Sequence, residues 1–398
     1  MPDVLTDKRK CCGCSACSHV CPKECIAMLE DNEGFLYPEI DSNKCIECDK
    51  CRKVCPVLNA DSGKERNIRD KVYPVAYGGW NLDNDTRSES SSGGAFSIMA
   101  EKILEQGGKV YGCALDNNMN AVHIGVNTKK ELYRLRGSKY VQSEIGNVYR
   151  EIKSILESGR KVLFVGTPCQ AAGLNSYLGK HYENLYKVDF ICHGVPSPKV
   201  FKSYINHLEK ERGAQITTFK FRNKDHGWHS SGMQLGTLIK FDNHKDIRKY
   251  PAFRDTYMNG FLNDIYLRPS CYNCAFKKLP KDYVDFTIAD FWGVNRVSKN
   301  LNDGKGTSLI LVHNDHGAAF WDQIKAGFYY QQVNLESALK HNRSIVCSVA
   351  ENSGRERFFI EFKEKGYDYV ERKYLSAYSW VKRKSLKVLK GLLVGQKR

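Results

Sequence analysis

Three largely apolar segments of strand length dominate the pattern of hydrophobic and polar positions. They are residues 161–166, 185–192 and 283–290. Helical patterns separate them along the chain, which favours parallel pairing in one sheet, and ligands of such sheets lie beyond the carboxyl ends of the strands. The pattern therefore predicts that Cys169, Cys192 and Asp290 converge on one sheet edge, because each ends or closely follows one of these strands.

The remaining pattern predicts a mixed α/β body with a partly parallel sheet, of class α+β or α/β. Further strands are predicted at residues 73–80, 109–116, 121–127 and 309–313 with short β runs within 215–250, and helices at 95–104, 145–156, 320–338 and 358–365. The polar, breaker-rich stretch 61–67 indicates a domain boundary. We predict a small domain at residues 1–62, the body at 63–371 and a basic amphipathic tail at 372–398.

Cysteine spacing, and not hydrophobic period, is the strongest signal in the first 60 residues. The motif C-x2-C-x2-C-x3-C-P occurs twice, at Cys11, Cys14, Cys17, Cys21 and at Cys45, Cys48, Cys51, Cys55. In such a pair each copy gives three thiolates to one 4Fe-4S cluster, and its fourth cysteine ligates the other cluster. We therefore predict a bacterial-type ferredoxin domain, with a strand and turn at residues 34–38 between its halves. Its ligand sets are crossed: Cys11, Cys14, Cys17 with Cys55, and Cys45, Cys48, Cys51 with Cys21.

Zinc is the alternative interpretation of these cysteines. Zinc sites usually combine two separated C-x2-C pairs, whereas here three thiols fall within seven residues and a C-P pair follows. Iron–sulfur ligation is therefore favoured. Cys12 and Cys25 belong to neither ligand set, and we interpret them as small buried thiols.

Four cysteines of the body form a weaker pattern. Cys271 and Cys274 are a C-x2-C pair, and together with Cys169 and Cys192 they suffice to ligate a third 4Fe-4S cluster. Two alternatives stay open, since the pair can be a redox dithiol and Cys169, at a helix start, can be a lone activated thiolate. We favour the third cluster.

Two loops have the composition of an anion site. The first contains Ser92, Gly93 and Gly94 before a predicted helix, where free N–H groups attract phosphate; a serine-capped helix without ligand is the alternative. The second is Arg136, Gly137, Ser138, Lys139 and Tyr140. Its cations and ring suit a cofactor phosphate and a cofactor ring, and a solvated basic loop is the alternative.

Three polar residues are candidates for catalysis: Lys224, His193 and Asp290. Lys224 lies in the charged loop 221–229, which also contains His226 and His229. Such groups can protonate or orient a substrate, although loop histidines are often merely exposed.

Charge and hydropathy limit the classes of protein to which this sequence can belong. The chain of 398 residues has 61 Lys and Arg against 45 Asp and Glu, a net charge of +16, and residues 372–398 contain no acidic residue. A basic surface suits an acidic redox protein, an anionic cofactor or weak membrane-surface contact through the tail, and simple solubility is the alternative. Without a recognisable signal peptide, membrane span or nucleic-acid module, we expect a cytoplasmic protein with free thiols.

The ordered set of motifs resembles the coenzyme F420 hydrogenase/dehydrogenase beta-subunit family, in its bacterial form with an N-terminal ferredoxin domain. The matching segments are Ser92-Gly93-Gly94-Ala95, Gly137-Ser138-Lys139-Tyr140, Gly166-Thr167-Pro168-Cys169-Gln170, Cys192-His193-Gly194, Ser270-Cys271-Tyr272-Asn273-Cys274 and Asp290-Phe291-Trp292-Gly293. The resemblance implies that FAD exchanges electron pairs or hydride with a substrate while clusters pass single electrons. It also implies FAD contacts from the Gly93-Gly94 loop and from residues 137–140.

Two functions follow. The first is an FAD- and iron–sulfur-dependent oxidoreductase, which passes electrons between a ferredoxin-type or coenzyme F420-type partner and a small-molecule substrate. The second is an electron-transfer subunit of a larger hydrogenase or dehydrogenase, with no substrate of its own. A zinc-bearing nucleic-acid binder is a third class, which rests only on basicity and cysteine pairs.

Overall fold

The computed structural model describes residues 3–60, 73–225, 227–228, 236–243, 247–252 and 254–376. The helices are α1 (Ala16–Val20), α2 (Lys50–Lys53), α3 (Asn84–Ser88), α4 (Ala95–Glu105), α5 (Val148–Glu157), α6 (Pro168–Leu178), α7 (Pro198–Arg212), α8 (Thr256–Leu262), α9 (Val294–Val297), α10 (Asp315–Ile324), α11 (Leu335–Leu339), α12 (Arg355–Lys365) and α13 (Tyr367–Val370). The strands are β1 (Ile26–Glu30), β2 (Leu36–Ile40), β3 (Val75–Asn81), β4 (Lys109–Leu115), β5 (Ala121–Val126), β6 (Val162–Gly166), β7 (Leu185–Phe190), β8 (Ile216–Asn223), β9 (Gly236–Phe241), β10 (Ile247–Pro251), β11 (Phe286–Asp290), β12 (Ser308–Val312) and β13 (Phe328–Val333). Within these residues, no helix is both long enough and apolar enough to cross a bilayer.

An eight-stranded sheet forms the centre of the body. Its order is β13-β3-β12-β11-β7-β6-β4-β5, and β11, β7, β6 and β4 pair in parallel while the other neighbours are antiparallel. Val162, Leu163 and Phe164 of β6 have no exposed surface, as expected for a parallel strand covered on both faces. The predicted mixed α/β fold with a partly parallel sheet is confirmed, and the carboxyl ends of β6, β7 and β11 lie at one edge.

Helix caps determine the loops at this edge. Thr167 directly follows β6 and caps α6, with Pro168 as the first helical residue, so Cys169 is held in the first turn. Ser197 caps α7 in the same way. The connection from β7 to α7 is longer and carries Cys192.

A three-stranded antiparallel sheet, in the order β10-β9-β8, lies outside the large sheet and confirms the β runs predicted within residues 215–250. Rings from α7, β8 and α8 form its core. Phe201 and Phe221 have centroids 5.2 Å apart, and Tyr257 lies 5.1 Å from Phe201. The small sheet therefore packs through aromatic contacts, which place β8 beside the large sheet's edge.

The helix predicted over residues 320–338 is wrong. α10 ends at Ile324, and the following residues form β13, which pairs antiparallel with β3 at the sheet edge. The run Phe328–Val333 has the aromatic and β-branched composition that favours strands, and the ring of Tyr329 stacks on Trp80 at 4.4 Å. Pairing with a distant strand therefore overrides the local helical spacing. The predicted boundary at 61–67 and the predicted tail helix near residues 380–394 lie outside the described residues.

The N-terminal unit, with the β1-β2 hairpin and helices α1 and α2, packs directly on the body. Glu33 forms a largely buried ion pair with Arg355, whose Nη1 lies 2.9 Å from the Glu33 carboxylate. The Ser197 hydroxyl donates to the backbone oxygen of Glu33. α1 also contacts α6, so the cysteine loops of this unit lie against the edge that carries Cys169.

Replacing Gly173 of α6 with alanine should destabilise the protein by about 1–3 kcal/mol. A Cβ at this position would lie 2.9 Å from the Cys14 Cβ and 3.1 Å from the Tyr149 hydroxyl oxygen, so the N-terminal unit would have to move away. Without that contact, alanine inside a helix would be stabilising by about 1 kcal/mol relative to glycine. Denaturant unfolding measures the sign, with Ser176→Ala on the same helix as control; a more stable Gly173→Ala variant would refute the tight contact.

Candidate iron–sulfur sites and cofactor corner

The first crossed cysteine set surrounds a narrow cavity of about 20 Å³ in the N-terminal unit. Its lining includes the four predicted ligands Cys11, Cys14, Cys17 and Cys55, together with Cys12. All of these thiols are buried, no more than 9% exposed. The chain thus brings together one predicted ligand set on the side of the N-terminal unit that faces the body.

The second crossed set lines a wider cavity of about 350 Å³ nearer to solvent. Cys21, Cys45, Cys48 and Cys51 all contribute, and Cys48 is exposed. Cys25 also lines this cavity, with its sulfur 3.3 Å from that of Cys21. Burial acts to raise the pKa of Cys21, but hydrogen bonds from Cys25 and nearby amides lower it, while burial and Cys21 raise the pKa of Cys25 to about 12. Cys25 therefore suits a protonated donor, and Cys21 suits the thiolate ligand.

The four body cysteines also come together, at the edge formed by β6, β7 and β11. Cys169 lies in the first turn of α6 and Cys192 follows β7, while Cys271 and Cys274 lie on and just after the 3-10 turn Pro269–Asn273. Burial, and then repulsion from Cys169 and Cys274 against an opposing effect of Lys277, raises the pKa of Cys192 to about 12. Burial and the thiolates of the same group raise the pKa of Cys271 further.

The surroundings of these four thiols fit an iron–sulfur cluster. Buried thiolates that repel one another need a positive centre between them, which a cluster's irons supply. The Val195 N–H donates to the Cys271 sulfur at 3.4 Å. The Tyr283 hydroxyl is buried without a partner among the described residues and is close enough to feel the charges of Cys169 and Cys274. Such donors hydrogen-bond cluster sulfurs and tune their potential.

No group of three Cys, His, Asp or Glu side chains in the described part of the chain is arranged to hold a single metal ion. All sixteen cysteines are free thiols. The cysteine sets are therefore defined by the cavities and contacts that their members share.

Cys12 lies between the first and third cysteine sets. Its thiol is close enough to those of Cys14 and Cys169 for each to change its pKa, which is raised. Because Cys14 also packs against Gly173 of α6, the N-terminal unit and the body meet directly at this point. A single side chain therefore separates a ligand of the first set from one of the third.

A second group of predicted residues meets around Asp290, at the end of β11. Arg222 of β8 pairs with the Asp290 carboxylate, with Nη2 3.2 Å from Oδ1, and its Nη1 donates to the Tyr140 hydroxyl at 3.3 Å. The two charged side chains are only 4% and 14% exposed. Burial acts to lower the pKa of Arg222, but Asp290 and Tyr140 raise it. The guanidinium also lies 5.6 Å from the centroid of Trp292. We call Tyr140, Arg222, Asp290 and Trp292 the Asp290 corner.

Lys224 holds the glycine loop beside the Asp290 corner. Its ammonium donates to three backbone oxygens, those of Arg87 at 2.8 Å, Ser92 at 2.6 Å and Lys305 at 3.1 Å. Burial, followed by the charges of Arg87 and Arg222, lowers the pKa of Lys224 to about 7. Lys224 positions the loop in this structure, and its role in proton transfer stays a prediction. His226 and His229 lie outside the described residues.

The two predicted cofactor loops touch each other. The backbone N–H of Ser138 donates to the Ser91 hydroxyl at 2.8 Å. Gly94 has a φ of +86° and leads into α4, whose N-terminus has no side-chain cap. The Ser97 N–H donates to the Gly94 oxygen at 3.1 Å, so the N–H groups of Ala95 and Phe96 are the candidates for the predicted anion.

Arg136 and Lys139 bond within the protein. Arg136 pairs with Glu101 at 3.1 Å and donates to the Ser97 hydroxyl at 3.0 Å. Lys139 donates to the backbone oxygens of residues 134, 135 and 136, and burial lowers its pKa to about 8. The N–H groups of Arg136 and Lys139 that were predicted to contact a phosphate therefore donate within the protein. Gly137 and Ser138 lie between these two residues at the surface of the loop.

His193 lies between the third cysteine set and the Asp290 corner. Its Nε2 is 2.6 Å from Oδ1 of Asp264, and its ring contacts Phe261 at 5.1 Å. Phe261 in turn stacks on Tyr140 at 4.8 Å. A chain of ring contacts therefore connects the residue next to Cys192 with the corner.

Two arginines at these sites were missed by the sequence analysis. Arg222 forms the ion pair with Asp290, and Arg268 is fully buried with its Nε donating to the Cys11 backbone oxygen at 2.7 Å. Arginine ordinarily indicates exposed surface, so hydropathy carries no signal for either. The only available signal for Arg268 is its place three residues before Cys271.

Comparison with known proteins gives two family matches. Residues 159–337 match the family that describes the C-terminal part of the coenzyme F420 hydrogenase/dehydrogenase beta subunit, and residues 10–59 match a 4Fe-4S dicluster domain. The second match confirms the predicted iron–sulfur character of the N-terminal domain. No curated protein matches the chain.

One similar solved chain belongs to the xenon-derivatised F420-reducing NiFe hydrogenase complex from Methanosarcina barkeri. The two chains share 14% identity over 76% of this chain and 91% of that one, with a TM-score of 0.43.

Proposed function

We propose that this chain is an iron–sulfur flavoprotein oxidoreductase of the coenzyme F420 hydrogenase/dehydrogenase beta-subunit family. The family match over residues 159–337 and the 4Fe-4S dicluster match over residues 10–59 support a redox role. In this proposal electrons pass between a ferredoxin-type or coenzyme F420-type partner and a small-molecule substrate at FAD. The observation that supports it is the succession of three cysteine sets, from exposed Cys48 through Cys14, which packs against the helix of Cys169, to the neighbourhood of the Asp290 corner.

The ligands of the proposal are the two crossed sets of the N-terminal domain and the four body cysteines. Cys21, Cys45, Cys48 and Cys51 would hold the cluster nearest to solvent, and Cys11, Cys14, Cys17 and Cys55 the one that faces the body. Cys169, Cys192, Cys271 and Cys274 would hold the third. The domain limits at residues 62 and 371 belong to the same proposal.

FAD, when bound, would exchange electron pairs with the substrate and single electrons with the clusters. The uncapped start of α4 behind Gly93 and Gly94 offers N–H groups to an anion, and Gly137 and Ser138 border it. Tyr140 and Trp292 offer rings beside the Arg222–Asp290 pair. In the same proposal His193 and Lys224 would hold protons at the margin of the corner.

Anaerobic purification should yield a brown protein with about 12 iron atoms per chain, four per cluster, and bound FAD. Iron and sulfide assays and the flavin released on denaturation measure this directly. A colourless protein that contains zinc would refute the iron–sulfur assignment, while about 8 iron atoms would remove the third cluster.

A second proposal is that the chain is an electron-transfer subunit without its own substrate. The exposed residues around the wider cavity favour it. Cys48 is exposed and the neighbouring Ile46 is 56% exposed, which suits contact with a redox partner. Affinity purification that recovers a stoichiometric large subunit, with an isolated chain that reduces neither deazaflavin nor nicotinamide, would support this function. Substrate-dependent bleaching of bound flavin in the isolated chain would exclude it.

A further inference from the structure

Arg268 occupies the junction between the N-terminal unit and the body. Its side chain has no exposed surface. Nε donates to the Cys11 backbone oxygen at 2.7 Å, and Nη2 donates to that of Leu36 at 2.9 Å. Nη1 donates to the side-chain oxygen of Gln142 at 3.0 Å, and Gln142 in turn donates to the Cys12 backbone oxygen at 3.1 Å. The guanidinium thus fixes the cysteine loop of the first set.

The backbone of the same residue begins the turn of the third set. The N–H of Arg268 donates to the Val195 oxygen at 2.9 Å, and the Cys271 N–H donates to the Arg268 oxygen at 2.9 Å. Arg268 is the residue that precedes the turn Pro269–Asn273. One residue therefore touches the ligand loops of both sets.

The cysteine loop of the first set fits closely around Arg268 because residue 13 is a glycine. Gly13 has a φ of +68°, and a Cβ there would lie 2.8 Å from Nη1 of Arg268. A side chain at position 13 would therefore be strained in its backbone and would crowd the guanidinium.

The charge of this guanidinium is the unusual feature. All three hydrogen bonds that it makes among the described residues go to neutral oxygens, although a buried charge normally has an ionic partner. Burial acts to lower its pKa, but negative charge at Cys11, Tyr37, Cys12 and Cys271 raises it. Arg268 likewise favours the thiolate of Cys169. These groups include Cys11 of the first set and Cys169 and Cys271 of the third.

We propose that Arg268 is a positioning residue that serves as the shared counter-charge of the first and third clusters and raises the midpoint potentials of both. This inference rests on the proposed function, because the clusters must be present. A 4Fe-4S cluster with four thiolates is anionic and becomes more negative on reduction, so a nearby fixed cation stabilises the reduced form. With both clusters bound, transfer of one electron between them would oxidise one and reduce the other, without breaking a bond or moving a proton. A low-potential one-electron donor such as reduced ferredoxin would replace that electron.

The test is an EPR-monitored redox titration of the full chain purified with its clusters. Arg268→Gln should make the midpoints of the first and third clusters more negative and leave that of the second unchanged. Arg268→Lys, which keeps the charge, should shift them less. The variants Cys48→Ser and Cys271→Ser, each lacking one cluster, assign the midpoints.

The double variant Glu33→Gln with Arg355→Gln is the matched control. It neutralises another buried arginine of the same interface, but one whose charge is compensated by a carboxylate. It should loosen the interface without moving the midpoints.

Four results would distinguish the possibilities. Full iron content with unchanged midpoints in Arg268→Gln would overturn the inference, and so would equal shifts in the control variant. Loss of iron in Arg268→Gln with normal midpoints of the remaining clusters would assign Arg268 a structural role only, which also overturns it. Absence of iron from the unaltered protein would instead refute the proposed function.

Discussion

Cys271→Ser should remove about four iron atoms per chain and leave the two N-terminal clusters in place. Cys271 contributes the sulfur that accepts the Val195 N–H, and its charge is coupled to those of Cys192, Cys274 and Cys169. A serine hydroxyl is a far poorer ligand for iron than a thiolate, so the third site should lose its cluster. Iron and sulfide analysis, together with EPR of the reduced protein, measures the loss.

The electron path should be interrupted in the same variant. The first and third sets approach each other where Cys14 packs against the helix of Cys169, so loss of the third cluster should leave any bound flavin unable to receive electrons from the reduced N-terminal clusters. Cys113→Ser is the control, since Cys113 is similarly half-buried and belongs to no set. Unchanged iron in Cys271→Ser would restore the redox-dithiol interpretation of Cys271 and Cys274.

The strands of the large sheet were predictable because burial on both faces leaves a continuous apolar run. β6 is such a run, and Thr167-Pro168 after it is a helix start that can be identified locally, so the place of Cys169 followed from the sequence. The crossed cysteine sets were predictable for a different reason, since cluster ligation imposes fixed spacing along the chain.

The features that the sequence did not reveal depend on long-range contacts. β13 was predicted as helix because its partner β3 lies about 250 residues away, and its edge pairing has no local signature. The bonds of the Lys139 ammonium to three backbone oxygens of its own loop were likewise not foreseeable, and its predicted contact with a phosphate stays a prediction. Arg222 and Arg268 were missed because only the fold shows that their charges are buried.

Arg222→Met should destabilise the protein by about 3–5 kcal/mol, because it leaves the Asp290 carboxylate buried without its partner. Asp290→Leu should cost a similar amount for the opposite reason. The double variant, in which neither charge remains, should recover most of the loss. Denaturant unfolding of the three variants gives the coupling between the two side chains, and flavin released per chain reports on the corner.

Flavin retention in a double variant that has regained stability distinguishes a structural ion pair from a cofactor site. Lys220→Met is the control on the same strand, because Lys220 pairs with Glu89 at the surface and should contribute less than about 1 kcal/mol. If the double variant regains stability and still retains flavin, the Asp290 corner only holds β8 against the sheet. If it regains stability but loses flavin, the pair positions the cofactor. Folding then tolerates the loss of both charges, whereas flavin binding requires them. A single variant no less stable than Lys220→Met would contradict the buried pair altogether.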